Sequence, residues 1–264
     1  MSGVYIITGK LGAGKSLVAV GRIYDYLQRG CPVATNLDLY FRYLADKPGS
    51  MASALRLPDH PTIDDMKVIG SGNDTYDEDK NGLIVLDEGG TWFNSRGWAD
   101  KTRQALIDWL LHSRKLGWDV IILVQDITLI DKQVQTALAE HVVYCRRMDK
   151  VTVPVLGKLS RWFGFKPMTF PKMHLGIVKY GTSLHSLVVD KWWYMGKRFY
   201  RAYDTKQIFS ASYSDGVYCF LPRAYYNEPQ PINYGRLMPK LVLYAFGLAM
   251  ERMHLLERPQ WVNV

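Results

Sequence analysis

No stretch of this 264-residue chain reaches the roughly 18–20 apolar residues that a membrane-spanning helix needs. The longest apolar run, Leu241–Met250, stops after ten residues at Glu251 and Arg252. It reads either as a buried helix or as a membrane-contacting segment. Cysteine is scarce too. Cys31, Cys145 and Cys219 are the three present, too few and too scattered for a disulfide framework, and no C-x-x-C pair offers a zinc site. The N-terminus has no basic start leading into an apolar leader; Met1 runs almost directly into the strand-like Val4–Thr8. The six histidines are dispersed, and neither G-x-S-x-G nor H-E-x-x-H occurs. Internal repeats are absent.

Acidic residues are short in one region only. Residues 1–145 carry 15 basic and 18 acidic side chains, residues 146–179 carry 8 and 1, and residues 180–264 carry 10 and 6. The net charge of +8 therefore belongs to the second half, where it would attract phosphate backbones or anionic lipid heads, or simply keep a surface soluble. With 48% apolar residues the chain can build a substantial core.

Short apolar runs alternate with helical patterns in the first half. Val4–Thr8, Pro32–Thr35, Leu83–Leu86, Val120–Val124 and Val142–Cys145 read as buried strands. Ser16–Gln28, Ile63–Ile69, Lys101–Lys115 and Gln133–Glu140 read as helices, and polar Ser71–Asn81 as a mobile surface loop. Buried strands alternating with helices predict an α/β fold with a mostly parallel, doubly wound sheet. Beyond residue 145 the pattern loosens, with strand-like pieces at His174–Tyr180 and Leu187–Tyr194. The expected division is a core at 1–145, a small basic extension or second module at 146–235, and a C-terminal segment at 236–264.

Residues 9–16 read Gly-Lys-Leu-Gly-Ala-Gly-Lys-Ser. This is G-x-x-x-x-G-K-S placed between a strand and a helix, the phosphate-binding loop in its expected setting. Glycines let successive N–H groups curl around phosphates, and the following helix adds its positive end. Gly9, Lys10, Leu11, Gly12, Ala13, Gly14, Lys15, Ser16 and Leu17 are the expected nucleotide-binding residues. The Lys15 ammonium reaches the β and γ phosphates, and the Ser16 hydroxyl ligates Mg²⁺. Lys10 either reaches across a dimer, as in a variant loop of dimeric ATPases, or points to solvent. The next motif argues against the dimer.

Leu83–Leu86 is an apolar strand ending in Asp87-Glu88. Asp87 suits the Mg²⁺ shell, and Glu88 suits polarisation of an attacking water. An adjacent glutamate marks the P-loop NTPases with an additional strand between the two motif strands. Val120–Val124 is the expected extra strand, and Gln125 at its end is placed to touch the γ phosphate. No N-K-x-D motif follows, so ATP is favoured over GTP. Arg114 and Arg96 are the leading candidates for an arginine lent to a neighbouring subunit's phosphates. Trp192-Trp193-Tyr194 reads either as a base-stacking platform or as an alternating strand with Trp192 and Tyr194 turned inward. Trp162, Phe163 and Phe165 among basic residues suit a membrane interface or domain packing.

Several runs together resemble the zonular occludens toxin family. They are Thr8–Ser16, Ala34–Leu39, Gly72–Asp74, Tyr76–Glu78, Val85–Glu88, Gly90–Asn94, Trp109–Asp119, Leu123–Asp126, Asp131–Gln133, Ala139–Arg147, Val178–Gly181 and Ala202–Lys206. The likeness is strongest to the branch of gene I assembly and export proteins in filamentous bacteriophages, and covers roughly residues 1–235. It implies an ATP- and Mg²⁺-dependent motor at the host inner membrane, expected as a homo-oligomeric ring. That motor would extrude single-stranded phage DNA while its coating protein is exchanged for the major coat protein. The implied partners are that DNA–protein complex, the major coat protein, a shorter co-assembling form of the same protein, an outer-membrane secretin, host thioredoxin and inner-membrane lipids. Members carry a spanning segment near the position where this chain ends. Residues 241–250 do not supply one, so the chain is expected to be the cytoplasmic part of a longer protein or to attach otherwise. Some relatives are described as toxins through a separate C-terminal portion, and none is expected after Val264. The competing expectations are a soluble DNA-translocating or packaging ATPase and a nucleotide-controlled scaffold without turnover.

Overall fold

The computed structural model describes residues 3–45, 50–93, 101–130, 132–149, 171–183, 186–210 and 215–225. All of them belong to one compact unit, Met1–Tyr226. Nine strands form one sheet: β1 (Val4–Thr8), β2 (Val33–Thr35), β3 (Leu55–Arg56), β4 (Gly82–Leu86), β5 (Trp118–Leu123), β6 (His141–Arg147), β7 (Met173–Tyr180), β8 (Val188–Met195) and β9 (Tyr218–Cys219). Across the sheet the order is β8-β7-β6-β1-β5-β4-β2-β3-β9. Strands β1 to β6 run parallel, whereas β7, β8 and β9 are antiparallel to their neighbours. The fold is thus P-loop NTPase-like with a mixed, mostly parallel sheet.

The central strands are apolar throughout because both faces are covered. Their side chains alternate between two cores. Tyr5, Ile7, Leu83, Val85, Ile121 and Leu123 face the helix α1 (Lys15–Arg29). Val4, Ile6, Ile84, Leu86, Val120 and Ile122 face the other side, where Leu106, Ile107 and Leu110 of α5 (Lys101–His112) pack. Helix α1 buries Leu17, Val20, Ile23 and Leu27 on one stripe, the spacing that its sequence shows. Gly30 ends it in a left-handed conformation, and the Gly30 and Cys31 N–H groups bond back to the carbonyls of Leu27 and Tyr26.

Smaller helices complete the unit: α2 (Phe41–Leu44), α3 (Ile63–Val68), α4 (Gly89–Trp92), α6 (Lys132–Leu138) and α7 (Gly196–Phe199). The expected helix Lys101–Lys115 tightens into a 3-10 turn at Ser113–Leu116 before Gly117 stops it. The stretch expected as a mobile loop, Ser71–Asn81, is tied together by its own side chains. Asn73 bonds Thr75, the Asp77 carbonyl and Asn81, and Asp77 caps a 3-10 turn at Glu78–Lys80. Strand β7 of the basic half hydrogen-bonds onto β6, and β8 onto β7, continuing the sheet. Trp192 and Tyr194 are buried against α1, while Trp193 is about half exposed at 49%. Trp162, Phe163 and Phe165, the run 241–250 and the expected segment 236–264 lie outside the described residues.

Candidate nucleotide site

The phosphate loop follows β1, which lies between β6 and β5 in the parallel set. Gly12 (φ +74°) and Gly14 (φ +92°) take left-handed conformations that other residues rarely adopt. Ala13 N–H bonds the Lys10 carbonyl at 2.9 Å to close the turn, and Val18 N–H bonds Gly14 at 3.0 Å to open α1. Gly14 has a second constraint. A Cβ there would lie 2.0 Å from His174 Nδ1 on β7. The Lys15 ammonium folds back onto the Gly9 carbonyl at 3.0 Å, a position from which it can swing to an incoming phosphate. Lys10 is exposed, and the Leu17 side chain is buried in the core.

Asp87 follows β4 at the same end of the sheet. Its carboxylate accepts a hydrogen bond from the Ser16 hydroxyl at 2.9 Å. Two oxygen ligands side by side suit Mg²⁺, which takes one or two protein oxygens and fills its octahedron with phosphate and water. Among the described residues there is no group of three or more His, Cys, Asp or Glu able to hold a metal by itself. Burial pushes the Asp87 carboxyl above the ordinary carboxylate value, against the pull of Glu88 N–H, Ser16 and Lys15. Glu88 is raised as well, by burial and then by the neighbouring Asp87 charge, with His60 opposing. Among the described residues, Glu88 is also the non-glycine residue held at positive φ, +57°. Its own N–H reaches back to Asp87 Oδ1 at 2.7 Å.

The strand β5, between β1 and β4, ends at Leu123, and Gln125 follows. The Gln125 carbonyl accepts the Thr8 hydroxyl at 3.5 Å. One cleft of about 510 Å³ brings together Leu11, Lys15, Ser16, Asp87, Glu88 and Gln125. Gly9, Lys10, Gly12, Ala13, Gly14 and Leu17 shape the loop rather than line that cleft. Arg114 lies elsewhere. It stands before β5, at the amino-terminal ends of the strands, paired with Glu78 at 2.7 Å on the surface. Within its own chain it does not approach the phosphate loop. Arg96 lies outside the described residues.

Two features of the site escape sequence reasoning. Asn36, buried after β2, accepts from Asp87 N–H at 2.7 Å and donates to the Asp87 carbonyl at 3.1 Å. One wall of the cleft comes from a distant segment through Tyr203, Asp204, Thr205, Gln207 and Phe209. A signal for Asn36 was available: a polar residue at the carboxyl end of a buried strand is the same cue that singles out Asp87 and Gln125. No helix among the described residues is long and apolar enough to cross a membrane.

The family model for "Zonular occludens toxin (Zot)" matches residues 3–184. The chain is 53% identical over 246 residues to the Gene 1 protein of Enterobacteria phage M13, covering 91% of this chain and 70% of that one. To the Gene 1 protein of Salmonella phage IKe it is 49% identical over 262 residues, covering 94% and 72%. Among solved structures, the N-terminal domain of zonular occludens toxin from Neisseria meningitidis aligns with a TM-score of 0.44 at 17% identity, over 77% of this chain and 100% of that one. The DNA-packaging ATPase B204 of Sulfolobus Turreted Icosahedral Virus aligns with a TM-score of 0.38 at 14% identity, over 70% and 100%. By its family match and by identity along most of its length, the chain belongs to the zonular occludens toxin family and is closely related to the gene 1 proteins of filamentous phages.

Proposed function

We propose that this chain is a Mg²⁺-dependent ATP hydrolase that drives filamentous phage assembly and export. The observation that carries the proposal is the meeting of Lys15, Ser16, Asp87, Glu88 and Gln125 on one cleft at the carboxyl ends of β1, β4 and β5. The loop N–H groups and the start of α1 receive the β and γ phosphates. Lys15 leaves the Gly9 carbonyl and turns to them. Ser16 and Asp87 hold Mg²⁺, which when bound neutralises charge on the phosphate oxygens. Glu88 accepts a proton from the attacking water as the general base. Gln125 contacts the γ phosphate and registers its loss. The insertion of β5 between β1 and β4 supports reading the protein as a member of the additional-strand, catalytic-glutamate class.

The motor is a homo-oligomeric ring on the inner face of the host inner membrane. Arg114 or Arg96 serves a neighbour's phosphates; Glu78 holds Arg114 until a neighbour competes for it. The substrates of the motion are single-stranded phage DNA with its coating protein and the major coat protein. The shorter co-assembling form, an outer-membrane secretin, host thioredoxin and inner-membrane lipids complete the assembly. The test is Mg²⁺-dependent ATP turnover by the assembled protein with lipid vesicles and single-stranded DNA. Glu88→Gln should keep nucleotide binding, lose at least about 100-fold in turnover, and fail to support phage export. Undiminished turnover by this variant would remove Glu88 from the mechanism.

A further inference from the structure

Strands β2 and β4 run in register up to the pair Thr35 and Val85. Asn36 N–H still reaches the Val85 carbonyl at 3.3 Å, and then the backbones part. Asp87 therefore has no strand partner for its peptide groups. The Asn36 side chain takes that place. An amide has the shape and polarity of a peptide group, and Asn36 offers Oδ1 to Asp87 N–H and Nδ2 to the Asp87 carbonyl. The same Nδ2 donates to the Asp59 carbonyl at 3.0 Å, so the amide cannot rotate without losing partners on both sides. Asp87 is held by its backbone, which leaves its carboxylate facing Ser16.

Asn36 is also gripped from behind. Its carbonyl accepts from Gln207 Nε2 at 2.8 Å, and Gln207 Oε1 accepts from Asp38 N–H at 2.8 Å. Gln207 belongs to the strap 202–210, which runs antiparallel to residues 36–40. Tyr40 N–H bonds Ala202 at 2.8 Å, Asp204 N–H bonds Asp38 at 2.9 Å, and Leu39 bridges Tyr203. Ser210 N–H reaches Asp59 Oδ2 at 2.9 Å. The strap forms the cleft wall through Tyr203, Thr205 and Phe209. The Tyr203 hydroxyl is pushed up to about 12, mainly by burial and next by the Asp87 charge.

We propose that Asn36 is a positioning residue for the metal-holding Asp87, and that Asn36, bonded to Asp87 by its side-chain amide and to the Gln207 amide by its backbone carbonyl, couples the strap 202–210 to a Mg²⁺-bound nucleoside triphosphate in the cleft. The inference rests on the nucleotide reading above. A strap displaced by the nucleotide pulls on the Asn36 carbonyl, and the same residue sets the Asp87 backbone. Conversely, fixing Asp87 through its metal fixes the turn on which the strap sits.

The test uses the full chain and two variants, Asn36→Ala and Gln207→Ala, with melting curves as a check on folding. In a Mg²⁺ titration of ATP turnover, Asn36→Ala should raise the half-saturating Mg²⁺ about 10-fold or more, the usual cost of removing a residue that orients a metal ligand. Binding of a fluorescent ATP analogue in EDTA should stay within about twofold of wild type, because the phosphate loop is untouched. Hydrogen exchange in 202–210 should slow when Mg²⁺ and a non-hydrolysable ATP analogue are added to wild type, and this response should be lost in Gln207→Ala. An unchanged Mg²⁺ requirement in Asn36→Ala overturns the positioning role. If that variant does not fold, an undiminished strap response in Gln207→Ala overturns the coupling. A wild-type protein that neither binds nor hydrolyses ATP refutes the nucleotide reading itself; a normal wild type with unaffected variants refutes only the relay.

Discussion

The backbone conformation of Glu88 and the base role proposed for it pull in opposite directions, and the size of the conflict can be worked out. The residue sits at φ +57° and ψ +30°, a left-handed conformation that costs a residue with a Cβ about 1–2 kcal/mol. Glycine escapes that cost but gives back about 0.5–1 kcal/mol through the greater freedom of its unfolded chain. The link from Glu88 to helix α4 runs through its backbone: the carbonyl accepts Thr91 N–H at 2.9 Å and the Thr91 hydroxyl at 2.8 Å. Changing the side chain leaves those bonds in place. Glu88→Ala and Glu88→Gly both relieve the like-charge contact with Asp87, so the difference between them isolates the backbone. Glu88→Gly should exceed Glu88→Ala by about 0.5–1 kcal/mol, or about 1–4 °C in melting temperature for a unit of this size. Both should lose turnover by about 10²–10⁴, giving proteins that are no less ordered but inactive. The assay is a melting curve without nucleotide, followed by Mg²⁺-ATP turnover on the same samples. Equal melting of the alanine and glycine variants would refute the strain. Wild-type turnover in either would show that the carboxylate is not the base.

Three further perturbations probe the frame around the site. Arg56 is 1% exposed and bonds Asp38 at 2.8 Å and buried Asp59 at 2.7 Å; Arg56→Met strands the Asp59 charge and should cost about 3–5 kcal/mol, read as a lower urea midpoint at unchanged slope. Gly14→Ala forces a Cβ to 2.0 Å from His174 Nδ1 at φ +92° and should cost about 1–3 kcal/mol; adding His174→Ala should recover part of the melting temperature but not nucleotide binding, and full recovery of binding would contradict the backbone argument. Asp119 is buried, and burial raises its pKa despite donors from Tyr26 at 2.5 Å and Gly3 at 3.1 Å. A raised folded-state pKa means stability that is present below the unfolded value and lost as pH rises through the folded one. Asp119→Asn should therefore gain on wild type in urea unfolding at pH 7, and the gain should shrink toward pH 4; a deficit of equal size at both pH values would refute this.

The legible parts of this molecule are local. The phosphate loop announces itself within eight consecutive residues, and Asp87 and Gln125 each end an apolar run. Period and length gave the central strands and α1, because both faces of the sheet had to be covered. What stayed hidden depends on partners far along the chain. Strands β3 and β9 are two residues each, too short for any periodicity to register. Asn36 acts on a residue 51 positions away, and Gln207 on one 171 positions away. Neither lies in an amphipathic pattern, since each is placed by amide hydrogen bonds rather than by apolar burial. Trp192 and Tyr194 were legible as one of two readings, and the neighbouring helix selects burial: Trp192 lies 4.6 Å beneath the Arg22 guanidinium.

The cleft has two mechanical exits, and they leave in opposite directions along the sheet. On the metal side, Asp87 passes through Asn36 to the strap. On the phosphate side, the loop and α1 rest on the antiparallel hairpin β7–β8. Gly14 leaves room for His174, and a Cβ on Gly21 would come within 2.4 Å of the Tyr194 ring; the Tyr194 hydroxyl donates to Asp25 on the same helix. Interiors packed this closely do not yield gradually, because there is no void to absorb a displacement. The outer face of β8 carries Lys191, Trp193 and Met195 in exposed positions, so the hairpin that packs against α1 on one face presents a cationic, aromatic surface on the other. β1 and its loop stand between β5 on one side and β6 on the other, so the two sets of contacts, amide hydrogen bonds and close packing, reach the cleft from opposite directions.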